Sequence, residues 1–215
     1  MATTKKTAIK VKEAKVPRKR LVLLDTHAIL HRAFHALPDF ASPGGEPTGA
    51  LYGLVAMLIS LVNDLKPDYI AACYDLPGPT HRHEAFEGYK GKREKTDDAL
   101  VAQIIRSRDV FRAFGIPMYD MPGYEADDML GTIAERAKGD VDVVIASGDM
   151  DTLQLIDNKK VTVYTLRKGI KDTVLYDEAS VIARFGFGPL LIFGARVASF
   201  WRRALHQAKG SKPDL

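Results

Sequence analysis

The 215-residue chain has one cysteine, Cys73, and so nothing for it to pair with. That excludes a disulfide framework and points to a reducing, cytoplasmic compartment. Long apolar runs are also missing. The longest, Ala50 to Val62, is too short to span a bilayer and is followed by Asn63-Asp64. It reads as a buried helix, and no membrane partner is expected. No hydrophobic segment opens the sequence. No Cys/His pair has zinc spacing; His81 and His83 stand two apart in a basic loop and face solvent or phosphate. Between Glu178 and Asp214 there is no acid at all.

Hydrophobic residues make up 46% of the chain, enough for one core-bearing domain. The net charge of +4 conceals an uneven distribution. Residues 1–20 carry +7 and residues 190–215 carry +4, so residues 21–189 carry −7. The basic stretch 1–19 reads as a disordered solubilising arm or as an arm that touches DNA. The acidic body, with its clustered carboxylates, suggests bound cations.

The densest cluster is Gly123-Tyr-Glu-Ala-Asp-Asp128. Like charges about 4 Å apart repel by on the order of 4 kcal/mol near a protein surface, so the arrangement needs a reason. Three short apolar runs each end in an acid: Arg20 to Asp25, Asp68 to Asp75 and Val141 to Asp149. Such runs read as strands buried on both faces. Pro117 to Asp120 reads as a further short strand, and 50–65, 97–114 and 125–138 have helical spacing. The alternation predicts an α/β, doubly wound, mainly parallel sheet flanked by helices. In such folds ligands sit beyond the carboxyl ends of the strands. Asp25, Asp75, Asp149 and Asp151, with Glu125, Asp127 and Asp128 at a helix start, are therefore expected on one edge of the sheet. Taken singly, each acid also reads as a turn or cap residue. A shared cation explains why all four segments place acids at the same end.

All these donors are oxygens, which suits Mg²⁺ or Mn²⁺. Seven carboxylates exceed the needs of one ion, so two are expected, as in sites that displace at phosphorus. Residues 81–95, HRHEAFEGYKGKREK, hold five Lys/Arg, two His, Phe86 and Tyr89. Basic residues interleaved with rings suit a nucleic-acid strand, although a solvated charged loop has the same composition.

These stretches resemble the 5′-3′ exonuclease domain at the N-terminus of bacterial DNA polymerase I, within the PIN-like flap endonuclease superfamily. The matching segments are LLDTHAILHRAFHAL (23–37), GEPTGALYG (45–53), CYDLPGPTHRHEAFEGYKGKR (73–93), MPGYEADDMLGTIA (121–134) and SGDMDTLQLI (147–156). The resemblance runs from about 20 to about 188. It implies a first metal cluster of Asp25, Asp75, Glu125, Asp127 and Asp128, and a second containing Asp149 and Asp151. It implies that Lys90 and Arg93 contact the scissile phosphate from a helical arch spanning 78–105. Arg32, Tyr52, His81, Arg82 and Tyr89 match positions that contact or frame DNA. The implied activity is metal-dependent hydrolysis of phosphodiesters near 5′ ends or at 5′ flaps, including RNA–DNA primer junctions in replication and repair, by a monomer.

Members of that family continue with a segment close to GDxSDNIPGVxGIG, which adds two Asp to the second cluster and opens a helical hairpin. Here residues 189–215 read PLLIFGARVASFWRRALHQAKGSKPDL, a divergent basic tail. The second cluster is left with Asp149 and Asp151, and 190–205 reads as an amphipathic helix with Arg196, Arg202 and Arg203 on its polar side. The sharp boundary near Gly188-Pro189 suits a truncated or frameshifted reading frame. A catalytically impaired nucleic-acid-binding remnant is the alternative function.

Overall fold

The computed structural model describes residues 17–85, 88–91, 95–168 and 172–192. In chain order these form β1 (Arg20–Asp25), α1 (Thr26–Ala36), α2 (Gly49–Leu65), β2 (Tyr69–Cys73), α3 (His81–Ala85), α4 (Asp98–Ala113) and β3 (Met118–Tyr119). Then come α5 (Ala126–Ala137), β4 (Asp142–Ser147), a 3₁₀ turn (Met150–Leu155), β5 (Val161–Lys168), β6 (Asp172–Tyr176) and α6 (Glu178–Phe185).

The strands lie in the order β3-β2-β1-β4-β5-β6. All pairings are parallel except β5 with β6. The expected α/β, mainly parallel sheet flanked by helices is therefore present. Burial on both faces explains the apolar runs. Val22, Leu24, Ala72, Val144 and Ala146 pack into one cluster with residues of α1, α2 and α4. Leu23, Ala71, Cys73, Val143 and Ile145 pack into a second with residues of α5 and α6.

The helices on the first face are tied closely. A Cβ on Gly53 would stand 2.5 Å from the Ala33 Cβ, so only glycine lets α2 approach α1 this nearly. Gln103 of α4 is 2% exposed, and its Oε1 accepts from Ala50 N at 2.7 Å, capping α2 from another helix. Leu100 is buried too. The segment expected to arch, 78–105, thus ends inside a packed helix, because 98–105 must stay on the body to cap α2. The tail helix expected over 190–205 lies mostly outside the described residues.

The winding matters for the site. From β1 the chain moves outward to β2 and β3, then returns to the other side of β1 at β4. Where this direction reverses, the connections leave a crevice between β1 and β4 at their carboxyl ends.

Candidate active site

The carboxylates reach this crevice as helix caps. Asp25 ends β1 and caps α1, accepting from Ala28 N at 3.2 Å. Asp75, just beyond β2, accepts from Ala126 N at 2.6 Å, at the start of α5. Asp149 follows β4 and caps the 3₁₀ turn, accepting from Asp151 N at 2.9 Å. Cap and cation ligand, separate readings in the sequence, are compatible roles here. Backbone N–H groups aimed at the carboxylates hold them in place and offset part of their repulsion.

A cleft of about 470 Å³ is lined by Asp25, Asp75, Glu125, Asp127 and Asp149, together with His27, His31, Arg32, His35 and Lys90. Asp128 and Asp151 do not line it. Asp25 is 5% exposed, and burial pushes its carboxyl up to about 6, with Asp75 and Asp149 adding repulsion against the donors Ser147 and Ala28. Burial, then the charges of Asp25, Asp149, Asp75 and Glu125, pushes Asp127 up to about 7. Burial and mutual repulsion on the floor of the cleft thus favour uptake of a proton or a cation.

The rim is held differently. Both oxygens of Asp128 accept from the Arg82 guanidinium, each at 2.7 Å. Asp128 also accepts from Glu125 N at 3.0 Å. Burial opposes its ionisation, but Arg82 and this N–H hold the Asp128 carboxyl below the usual carboxylate range. Glu125 takes Lys90 Nζ at 2.8 Å on one oxygen and the Tyr89 hydroxyl at 3.0 Å on the other. Burial and Glu125 push the Tyr89 hydroxyl up to about 12. Lys90 has φ of 54°, a left-handed backbone that costs a non-glycine residue about 1–2 kcal/mol.

The other expected contacts are spread out. His81 stacks near Tyr124, with ring centroids 5.3 Å apart, and its N–H donates to Gly123 O. Tyr52 is 58% exposed on α2 and packs edge-on against Phe40, away from the cleft lining. Arg32 lines the cleft. Arg93 lies outside the described residues. Among the described residues, no three His, Cys, Asp or Glu side chains stand close enough to close on one ion as they are placed.

Four residues of the site went unread in the sequence. His27, His31 and His35 recur every fourth position in THAILHRAFHA, a helical spacing that puts them on one face of α1. Asp75 N–H donates to His27 Nδ1 at 3.2 Å, so the ring carries its proton on Nε2. Burial lowers the His27 pKa, in keeping with a neutral ring. The fourth is Ser147, between Asp25 and Asp149.

A family model for the 5′-3′ exonuclease, N-terminal resolvase-like domain, matches residues 20–186. The chain belongs to this 5′-3′ exonuclease family. DNA polymerase I of Mycobacterium tuberculosis is 38% identical over 172 residues, covering 79% of this chain and 19% of that protein. DNA polymerase I of Bacillus subtilis is 39% identical over 173 residues, covering 80% and 20%. The chain thus spans about a fifth of the length of the curated relatives it matches. Among solved structures, the T5 D15 protein co-crystallised with metal ions matches with a TM-score of 0.60 at 20% identity, over 78% of this chain and 61% of that one. That likeness concerns the fold. Members of the family are nucleases, and the crevice at the β1/β4 reversal is where this chain concentrates its carboxylates. Among the described residues no helix is long and apolar enough to cross a membrane.

Proposed function

We propose that this chain hydrolyses phosphodiester bonds of DNA near 5′ ends and at the base of 5′ flaps, including RNA–DNA primer junctions in replication and repair, with divalent cations as cofactor. The observation that carries the reading is the cleft itself. Carboxylates from four chain segments meet there beside Lys90 and Arg32, in a chain of the 5′-3′ exonuclease family.

The donor set fits hard cations. It is all oxygen, and burial together with the neighbouring carboxylates pushes Asp127 up to about 7. Asp25, Asp75, Glu125 and Asp127 would hold one Mg²⁺ or Mn²⁺, with Asp128, which is turned to Arg82, acting through water, and Asp149 and Asp151 would hold a second. Bound there, the ions would lower the pKa of an attacking water and neutralise charge on the scissile phosphate. The T5 D15 crystals, of the same fold, also contain metal ions. Lys90 and Arg93 supply the cationic contact to that phosphate. Since Lys90 Nζ already lies 2.8 Å from Glu125, it reaches the cleft without rearrangement of the body. Arg32, Tyr52, His81, Arg82 and Tyr89 contact the DNA strands, and the chain acts as a monomer.

The test is cleavage of a 5′-labelled flap substrate with Mg²⁺ or Mn²⁺, set against Asp127→Asn. Metal-dependent turnover that the variant lacks supports the enzyme. DNA binding with no turnover above the variant would overturn it in favour of a binding remnant.

A further inference from the structure

Ser147 closes β4 and is fully buried. Its Oγ donates to Asp25 Oδ2 at 2.6 Å and accepts the Asp149 N–H at 2.9 Å. A hydroxyl has one proton, so these two bonds fix its rotor, with the proton toward Asp25 and a lone pair toward Asp149. Asp25 Oδ1 meanwhile accepts from Ala28 N. Each oxygen of Asp25 therefore takes one donor, which sets the plane of the carboxylate and leaves a lone pair on each oxygen for a cation.

The surrounding backbone is equally constrained. Strands β1 and β4 are neighbours at the reversal of the winding. A Cβ on Gly148 would lie 2.9 Å from the Ala28 carbonyl oxygen, so the β4 end presses on the first turn of α1. Ser-Gly-Asp thus supplies a bridging hydroxyl, a close approach and a carboxylate in three consecutive residues.

We propose that Ser147 is a positioning residue of this site, coupling Asp25 to Asp149 so that the acids of the two cation positions keep a fixed spacing. The proposal rests on the reading of those acids as cation-holding groups. Ser147 touches neither substrate nor reacting atoms. It acts on Asp25 through its carboxylate and on Asp149 through its backbone N–H, as outer groups around metal ligands do, and removing such a group costs about 10–100-fold in metal affinity or activity.

The experiment measures Mn²⁺ affinity by electron paramagnetic resonance on the DNA-free chain, alongside kcat and KM for flap cleavage. Ser147→Ala should weaken Mn²⁺ binding by about 10–100-fold and lower kcat, with KM for DNA little changed. Ser147→Thr should restore most of both, whereas Ser147→Val, isosteric with the Thr variant but without its hydroxyl, should not. A folded S147A with parental Mn²⁺ affinity and kcat overturns the proposal. If S147A does not fold, the Thr/Val pair decides, and equal Mn²⁺ affinities there overturn it. A parent chain that binds Mn²⁺ but never cleaves would refute the nuclease reading alone. A parent that cleaves, with Mn²⁺ affinity unmoved by these variants, would refute only the role of Ser147.

Discussion

Asp25 and Glu125 are buried to nearly the same degree, at 5% and 8% exposure. Asp25, on the floor of the cleft, is held by neutral donors, the Ala28 N–H and the Ser147 hydroxyl. Glu125, on the rim, is held by the Lys90 ammonium and the Tyr89 hydroxyl. Neutral donors orient a carboxylate without cancelling its charge, so the floor keeps its attraction for a divalent cation. A cationic partner cancels charge and can exchange carboxylate for phosphate. Under the proposed function, the floor would hold ions and the rim would hand Lys90 to a substrate.

The contrast breaks first at Asp127, the acid that burial and then the neighbouring carboxylates push up to about 7. Asp127→Asn should lower flap cleavage by roughly 10³-fold or more, since a metal site of this kind supplies several kcal/mol. Single-turnover cleavage measures it. A variant retaining a tenth of the rate would mean that the floor does not hold the reactive ions. Lys90→Ala comes next. It should slow kcat by about 10²–10³-fold, the usual loss on removing one donor to a developing charge. Gel-shift affinity for flap DNA should change little, because a single phosphate contact among many is lost. Unchanged turnover would refute the rim's catalytic role.

Stability should separate the two regions as well. Asp25 is pushed up to about 6 and Asp127 to about 7, from ordinary values near 3.8. A carboxyl whose pKa is raised by folding binds its proton more tightly in the native state. Its contribution is therefore fully present below about pH 4 and is lost as pH rises through 6 to 7. In chelator at pH 8 the floor should be destabilising, and Asp127→Asn should raise stability by on the order of 3 kcal/mol, a gain absent at pH 4. Thermal melts at the two pH values check this. Adding Mg²⁺ at pH 8 should stabilise the parent chain, and Asp127→Asn much less. Equal melting temperatures for parent and variant at pH 8 in chelator would show that burial and neighbouring charge do not disfavour the ionised Asp127.

The parts legible in sequence were those with a strong local pattern. The run Leu21-Val-Leu-Leu24 has no polar face and could only be a doubly covered strand, and Asp25 follows it directly. GYEADD announced its charge. The division of labour inside it was not legible: Asp127 lines the cleft, while Asp128 turns to Arg82. One helical residue separates those fates, and only the partner 46 positions away distinguishes them. Ser147 and His27 were invisible for a similar reason, since the partners Asp25 and Asp75 lie in distant segments of the chain and neither residue type is unusual. The antiparallel β5/β6 edge lacked the long apolar runs that marked the central strands; β6 is half exposed over most of its length.

The smallest effect concerns the anchor of the rim. Arg82 and Asp128 form a two-pronged ion pair at 2.7 Å with side chains 31% and 23% exposed. Part-exposed pairs are screened, but paired prongs and partial burial keep such a bond above the usual surface value. A double-mutant cycle of Arg82→Gln and Asp128→Asn should give a coupling of about 1 kcal/mol in denaturant unfolding, falling in high salt. The pair also fixes the end of the segment that carries Tyr89 and Lys90. Each single variant should therefore raise KM for flap DNA by a few-fold, and the double variant no further, because the same anchor is lost either way. Additive losses would mean that the two side chains act separately on the DNA or the ions, and the rim would then be a set of independent contacts rather than a tethered unit.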